Sequence, residues 1–339
     1  MFTGFCYGAQ TPGGPHAQNP CGRKPEVALK NALTIDLEDH SHATAFSAHG
    51  GPRGADSYFS RVKDNASRIL EILEQVGCSA TFFVVGSIAE RFPGLIQRIA
   101  SAGHEIACHS YAHRETFTFS RDQFYEDTRR AKTVIEDATG GRVLGYRAPS
   151  FSFTRHTPWA FEVLAELGFS YDSSIFPIKH LSFEMHRAPN KPFVITTSFG
   201  SILEFPMTTL QILDVRAPLA GGAYFRFLPY WYTHWGIRYL NSSERRPACV
   251  YLHPWELDAE QPRMNGSLTA KMRHYFGLRT AERKFRRLLE DFDFEPLSLL
   301  IQELDGEISS YEIKDVFGIH PAEPCGELTE FTYPRLRQR

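Results

Sequence analysis

Apolar and polar positions fall into alternating strand-like and helix-like blocks along the first half of the chain. "ALTIDLED" is a short apolar run ending in acids, which predicts a buried strand with carboxylates at its C-terminal end. Residues 64–76 place Ala66, Ile69, Leu70, Leu73 and Val76 on one helical stripe, closed by Gly77. "ATFFVV" (80–85) is a continuous β-type run, residues 88–102 pattern as one helix ending at Gly103, and "HEIAC" is another strand. Ser120 and Gln123 form a capping box for a helix whose face is Phe124, Thr128, Ala131, Val134, Ile135 and Ala138. "VLGYRA" predicts a strand, Thr157 and Pro158 open the next helix, and Gly168 stops it. Such alternation predicts an α/β fold: a parallel sheet with crossover helices, open or closed as a barrel.

The second half is less regular. "FVITTS", "ILEFPM" and "CVYLH" read as strands, and "FLPYWYTHWGIRYLN" as an aromatic-rich helix. "TAERKFRRLLEDF" is amphipathic, with Ala281, Phe285, Leu288, Leu289 and Phe292 on one face. No internal repeat or low-complexity linker divides the chain, so one main domain is expected over 30–300. An irregular Gly/Pro/Asn-rich lead-in precedes it over 1–29, and a C-terminal appendage follows over 301–339.

Composition narrows the function classes. Apolar residues make up 42% and charged residues 22%, the balance of a soluble globular chain. The net charge is −2 with both signs interspersed, which gives no footprint for nucleic acid or an anionic membrane. No apolar run reaches the roughly 20 residues of a membrane helix. The first residues show neither a basic n-region nor an apolar h-region, so a cytoplasmic location is expected. Six cysteines, at 6, 21, 78, 108, 249 and 325, show no C-x-x-C spacing; they predict reduced thiols, with no bridge expected even for the Cys6–Cys21 pair.

Chemistry in such folds gathers where the strands end. Four predicted strands end in ionisable residues: Asp36, Glu38 and Asp39; His109 with His113; Arg147; and His253. Each has an ordinary alternative, as a helix N-cap, a core imidazole or a structural salt bridge. Together they are harder to dismiss, because the topology converges those ends. Two imidazoles and a carboxylate make a site for a catalytic divalent metal, with Zn²⁺ the first choice and Co²⁺, Ni²⁺ or Mn²⁺ as alternatives. The spacing His–x–x–x–His puts both rings on one side of a helical turn, and of an extended strand as well, so spacing alone is a weak signal. His104, at the start of its strand, is expected to be structural. The pattern lacks the Glu of H-E-x-x-H, which argues against a zinc peptidase.

The ordered set "TIDLED", "HSYAH", "GYRAPSFS", "YDSSIFP" and "VYLHPWELD" resembles the NodB-type polysaccharide deacetylases, carbohydrate esterase family 4. The stretch "GGAYFRFLPYWYTHWGIRYLN" with "HPWELDAEQPR" resembles the branch found in exopolysaccharide loci alongside exosortase systems. The resemblance covers about residues 30–297. It implies a distorted (β/α) barrel, usually of seven strands, and metal-dependent removal of N-acetyl groups from a glycan. It further implies Asp36 as base, His109 and His113 as metal ligands, Arg147 as the residue holding the base, the Ser150 backbone N–H at the oxyanion, and His253 as acid. Where the family has two adjacent Asp residues this chain has Asp36-Leu37-Glu38-Asp39, so the acidic ligand is Glu38 or Asp39; strand alternation favours Glu38 and a bend at the strand end would favour Asp39. The family's fourth motif supplies a Trp and an Asp that tunes the acid; here "YDSSIFP" has Asp172 without the Trp, and Glu204 of "LEFP" is the alternative. Substrate-contacting candidates are His42, Phe151, Asp172, Glu204, Tyr224 and Trp255, with Phe153, Phe176 and Phe225 as aromatics that serve a core equally well. The rival readings are hydrolysis of another non-peptide C–N bond on the same scaffold, and a glycan-binding protein without catalysis.

Overall fold

The computed structural model describes residues 29–42, 60–178, 185, 188–213, 215–304 and 308–317. The expected lead-in, Cys6, Cys21 and Cys325 lie outside the described residues. Cys78, Cys108 and Cys249 are free thiols.

Among the described residues there are twelve strands. They are β1 (Asn31–Leu37), β2 (Thr81–Val84), β3 (Glu105–Cys108), β4 (Gly145–Tyr146), β5 (Tyr171–Asp172), β6 (Phe193–Thr197), β7 (Gly200–Glu204), β8 (Thr209–Ile212), β9 (Val215–Pro218), β10 (Cys249–Leu252), β11 (Phe294–Glu295) and β12 (Ser310–Glu312). The main sheet runs β10-β1-β2-β3-β4-β5-β7-β6-β12, with β11 added to β1, and β8 pairs only with β9. From β10 to β7 the seven strands are all parallel. Beyond them β6 is antiparallel to β7, and β12 is parallel to β6.

The helices are α1 (Val62–Val76), α2 (Gly86–Arg91), α3 (Pro93–Ser101), α4 (Arg121–Thr139), α5 (Trp159–Glu166), α6 (Gly222–Phe227), α7 (Tyr230–Ser242), α8 (Leu268–Tyr275), α9 (Leu278–Asp291), α10 (Leu297–Gln302) and α11 (Ile313–Phe317). The run 88–102, read as one helix, is two helices. Pro93 has no N–H to continue the first and instead opens the second at its N1 position.

Because side chains alternate along a strand, the parallel strands feed two apolar clusters. Leu33, Ile35, Phe82, Val84, Cys108, Val250 and Leu252 pack against the helices. Ala32, Phe83, Ala107, Tyr171, Cys249 and Tyr251 fill the other face, where Leu297 and Leu300 of α10 join them. The sheet therefore encloses an inner core, as a distorted seven-stranded (β/α) barrel does. Between its first and last strands Thr208 reaches across: its Oγ1 accepts from Cys249 N at 2.6 Å.

The expected C-terminal appendage is in part integral to the fold. β12 extends the sheet edge, and Phe317 packs edge-to-face on Phe161 of α5 with ring centroids 5.9 Å apart.

Candidate metal centre and active site

Strand register brings the candidate residues to one level. Ile35 pairs with Leu252, so Asp36 and His253 emerge side by side. Cys108 pairs with Tyr146 and Tyr146 with Asp172, so His109, Arg147 and Ser173 follow in adjacent positions. Thr34 and Asp36, two apart on one strand face, both accept from Arg147 Nη1, at 2.8 and 2.7 Å. The rest of the guanidinium is held by Ser173: Nε donates to its carbonyl at 3.0 Å and Nη2 to its hydroxyl at 2.9 Å. Arg147 is fully buried and lies over the Phe83 ring. A planar fork with every arm engaged fixes the Asp36 carboxylate in place.

The loop after β3 is a tight turn, neither helix nor extended strand. Ser110 and His113 adopt left-handed backbone, with φ 59° and 51°. The turn is secured by His113 N donating to Ser110 Oγ at 3.0 Å and Tyr111 N to Asp127 Oδ2 at 2.8 Å. Ser150 and Phe151, after β4, have φ 55° and 54°. Four of the six positive-φ non-glycine residues described thus lie in two site loops, where strain of this kind is commonly held.

Glu38, His109 and His113 gather with ligand atoms all within 4.8 Å of one another. His113 Nε2 lies 2.5 Å from Glu38 Oε2. His109 Nδ1 lies 2.8 Å from the Arg147 carbonyl. A carbonyl only accepts, so Nδ1 carries the proton and Nε2 is left with its lone pair. Burial first, and neighbouring His113, push the His109 imidazole down to about 4, which keeps it neutral as a ligand must be. Burial alone would raise the Glu38 carboxyl, but His113 and His253 beside it hold it well below the ordinary carboxylate value. A buried carboxylate converging with two imidazoles, one with its tautomer fixed by a carbonyl, fits a divalent first-row metal.

Asp39, the alternative ligand, is turned away. Its Oδ1 accepts from His40 N and faces His40 Nδ1, at 2.8 and 2.7 Å, and its Oδ2 accepts from Arg61 N at 3.2 Å. The chain folds back right after β1, where Glu38 N donates to Asp36 O at 2.9 Å. That bend keeps Glu38 with Asp36 and sends Asp39 out. His42 lies beside the cluster, its ring centroid 5.2 Å from that of His113. His104 accepts from Ala80 N at 3.2 Å, the structural role expected of it.

His253 Nε2 faces two acids, 3.4 Å from Glu38 Oε1 and 3.9 Å from Asp36 Oδ2. Burial would lower this imidazole, but Glu38, Glu256 and Asp36 around it hold it up at about 9. The residue against its other nitrogen is neither Asp172 nor Glu204. It is Glu256, whose Oε2 is 3.1 Å from Nδ1. Sequence reasoning missed it, although a Glu three residues after a helix-opening position is the spacing of a capping box.

Asp172 and Glu204 are fully buried. Asp172 accepts from Ser174 N and Oγ at 2.9 and 2.7 Å, and Glu204 accepts from Ile175 N at 2.9 Å. They brace the 173–175 loop, which in turn holds Arg147, and neither has exposed surface. Trp255 also departs from its expected role. Its two faces are covered by His253 and His274, with centroids at 5.0 and 4.5 Å, and its Nε1 donates to Glu38 Oε1 at 3.0 Å. Its ring is thus packed between two imidazoles and tied to the Glu38 carboxylate. Phe153 and Phe225 are core, and Phe151 and Phe176 pack edge-to-face at 5.5 Å. Tyr224, half-buried, and His42 are the substrate candidates that keep accessible surface.

Comparison with known proteins fits this geometry. The polysaccharide deacetylase family model matches residues 53–171. A domain of unknown function, DUF3473, matches residues 173–302. The deacetylase match thus contains His109, His113 and Arg147, the domain of unknown function supplies His253 and Glu256, and β1 with Asp36 and Glu38 precedes both. A peptidoglycan deacetylase-like protein of Gibberella zeae is 34% identical over 110 residues, 32% of each chain. A peptidoglycan deacetylase of Helicobacter pylori is 32% identical over 108 residues, 32% of this chain and 36% of that one. These matches span about a third of the relatives' length. A crystal structure from Mycobacterium smegmatis, assigned to the polysaccharide deacetylases, shares the fold with a TM-score of 0.52 and 22% identity, covering 88% of this chain and 97% of its own.

Proposed function

We propose that the chain hydrolyses N-acetyl groups on amino-sugar units of a polysaccharide or oligosaccharide, using a divalent metal, zinc first, held by Glu38, His109 and His113. The observation that carries this reading is the pairing of a fixed base with an acid beside one donor cluster: Asp36 on Arg147, and His253 within 3.9 Å of both Asp36 and Glu38. A protein that only bound glycans would need neither. The deacetylase match and the relatives' names support the amide as the bond and a glycan as its carrier. The resemblance of residues 221–263 to an exopolysaccharide-locus branch directs the proposal to a cytoplasmic exopolysaccharide or capsule precursor.

A metal held by Glu38, His109 and His113 would supply Lewis acidity to the acetyl carbonyl and make water a better nucleophile near neutral pH. Asp36, held by Arg147, takes the proton of the attacking water. The Ser150 backbone N–H donates to the oxyanion that forms. His253 gives the Nε2 proton to the departing amine, leaving acetate and a free amino sugar.

Metal analysis of the purified protein, followed by acetate release from a panel of N-acetylated glycans and simple acyl amides, tests the reading. Asp36→Asn should retain metal and lose roughly 10²–10⁴-fold in turnover, the span of general base catalysis. His109→Ala should lose metal and activity together. Near-normal acetate release by Asp36→Asn would remove the base assignment, and hydrolysis confined to simple amides would remove the glycan.

A further inference from the structure

The segment matched by the domain of unknown function builds a support behind His253. Glu256 Oε2 accepts from the His253 backbone N at 3.0 Å and lies 3.1 Å from its Nδ1. Its Oε1 accepts from Arg226 Nε at 2.6 Å. Arg226, 2% exposed, gives its other N–H groups to the carbonyls of His274 (2.8 Å), Phe276 (2.7 Å) and Arg273 (3.1 Å) at the C-terminal end of α8, where helix carbonyls lack intrahelical partners. Helix α6 comes close enough to place Arg226 because Gly221, at φ +123°, has no side chain; a Cβ there would sit 2.0 Å from the Tyr251 ring.

These contacts fix proton positions. A carboxylate only accepts, so Nδ1 carries a hydrogen and the exchangeable site is Nε2, the nitrogen facing Asp36 and Glu38. An amide in place of Glu256 could not do this. Arg226 only donates, so the oxygen of a Gln would turn to Arg226 and its NH₂ would face Nδ1, reversing the polarity of that bond.

We propose that Glu256, anchored by Arg226, is the positioning residue of the acid His253, and that this pair gives the chain its ability to expel an amine rather than only a good leaving group. The proposal rests on the reading that His253 protonates the leaving nitrogen. As the C–N bond breaks, its electron pair goes to nitrogen, which takes the Nε2 proton; the imidazolium becomes neutral imidazole and keeps Nδ1–H on Glu256. A nitrophenolate leaves without a proton, so hydrolysis of para-nitrophenyl acetate bypasses this step.

The test compares Glu256→Gln with the wild-type chain, both metal-loaded, on an N-acetylglucosamine oligomer and on para-nitrophenyl acetate. The amide kcat should fall about 10²-fold with KM moving by no more than about threefold, while the ester rate falls by no more than about threefold. Glu256→Asp, which keeps the charge, should recover part of the amide rate; if the Gln variant does not fold, the Asp variant is read by the same fall in amide-to-ester ratio. Proton NMR supplies a readout independent of turnover: a downfield imidazole N–H signal present in the wild type and lost in both His253→Ala and Glu256→Gln. Equal loss of amide and ester rates in a folded variant, or a signal unchanged by Glu256→Gln, overturns the proposal. Should the wild type release no acetate while the signal responds as described, the functional reading fails and the positioning role stands.

Discussion

Asp172 and Glu204 are both fully buried, and each influences the other's carboxyl group. Burial, and then the Asp172 charge, push the Glu204 carboxyl well above the ordinary value. The native state therefore holds a proton that the unfolded chain releases near 4.5. The pair's contribution to stability is complete below that pH and is lost as pH rises through the native value. Glu204→Gln removes the titrating group and keeps an oxygen for Ile175 N. Denaturation midpoints measured across pH should show this variant gaining on the wild type as pH climbs above 4.5; a constant difference at all pH values would mean Glu204 is ionised in the fold. The resemblance of "YDSSIFP" to the family's fourth motif offered Asp172 as the tuning residue, with Glu204 as the alternative. Their burial depends on which way side chains face around the 173–175 loop, which no spacing encodes, whereas Glu256 stands at capping-box spacing from His253.

At the level of elements, legibility follows how much of each element's stability is local. The capping box of α4 was readable because both partners lie three residues apart, and both bonds form: Gln123 N to Ser120 Oγ at 3.2 Å and Ser120 N to Gln123 Oε1 at 3.0 Å. Its face was readable from a 3.6-residue period, and Phe124, Thr128, Ala131, Ile135 and Ala138 are buried as expected. β4 and β5, two residues each, carry no period of their own; their parallel neighbours define them. Helices α6 and α8 and the β8–β9 hairpin escaped notice for the same reason, being short and fixed by contacts distant in sequence. Ser120→Ala should cost about 1 kcal/mol, the usual value of a lost N-cap, in a urea denaturation with unchanged m-value. A loss well under ~0.5 kcal/mol would place α4's stability wholly in its buried face.

For the whole molecule, the two matched stretches meet between Tyr171 and Ser173, inside the sheet rather than at a linker. β5 pairs with β4 from the first stretch and β7 from the second. β1 lies between β2 and β10, and so joins both stretches as well. The inner core draws Phe83 and Ala107 from one side and Met207, Cys249, Tyr251 and Leu297 from the other. The site is divided in the same way: Arg147 depends on Ser173, and Asp36 stands between Arg147 and His253. A domain has its own core, and neither stretch has one complete. The intact chain should therefore unfold in a single calorimetric transition. A fragment ending at residue 172 should show no cooperative melt, because β1 and β5 would each lose a ladder partner and the inner core its far wall. Co-expression of the two fragments should restore a joint transition together with metal binding. A fragment over 30–172 that melted cooperatively alone would make the deacetylase match a separate domain and the second stretch an accessory to it.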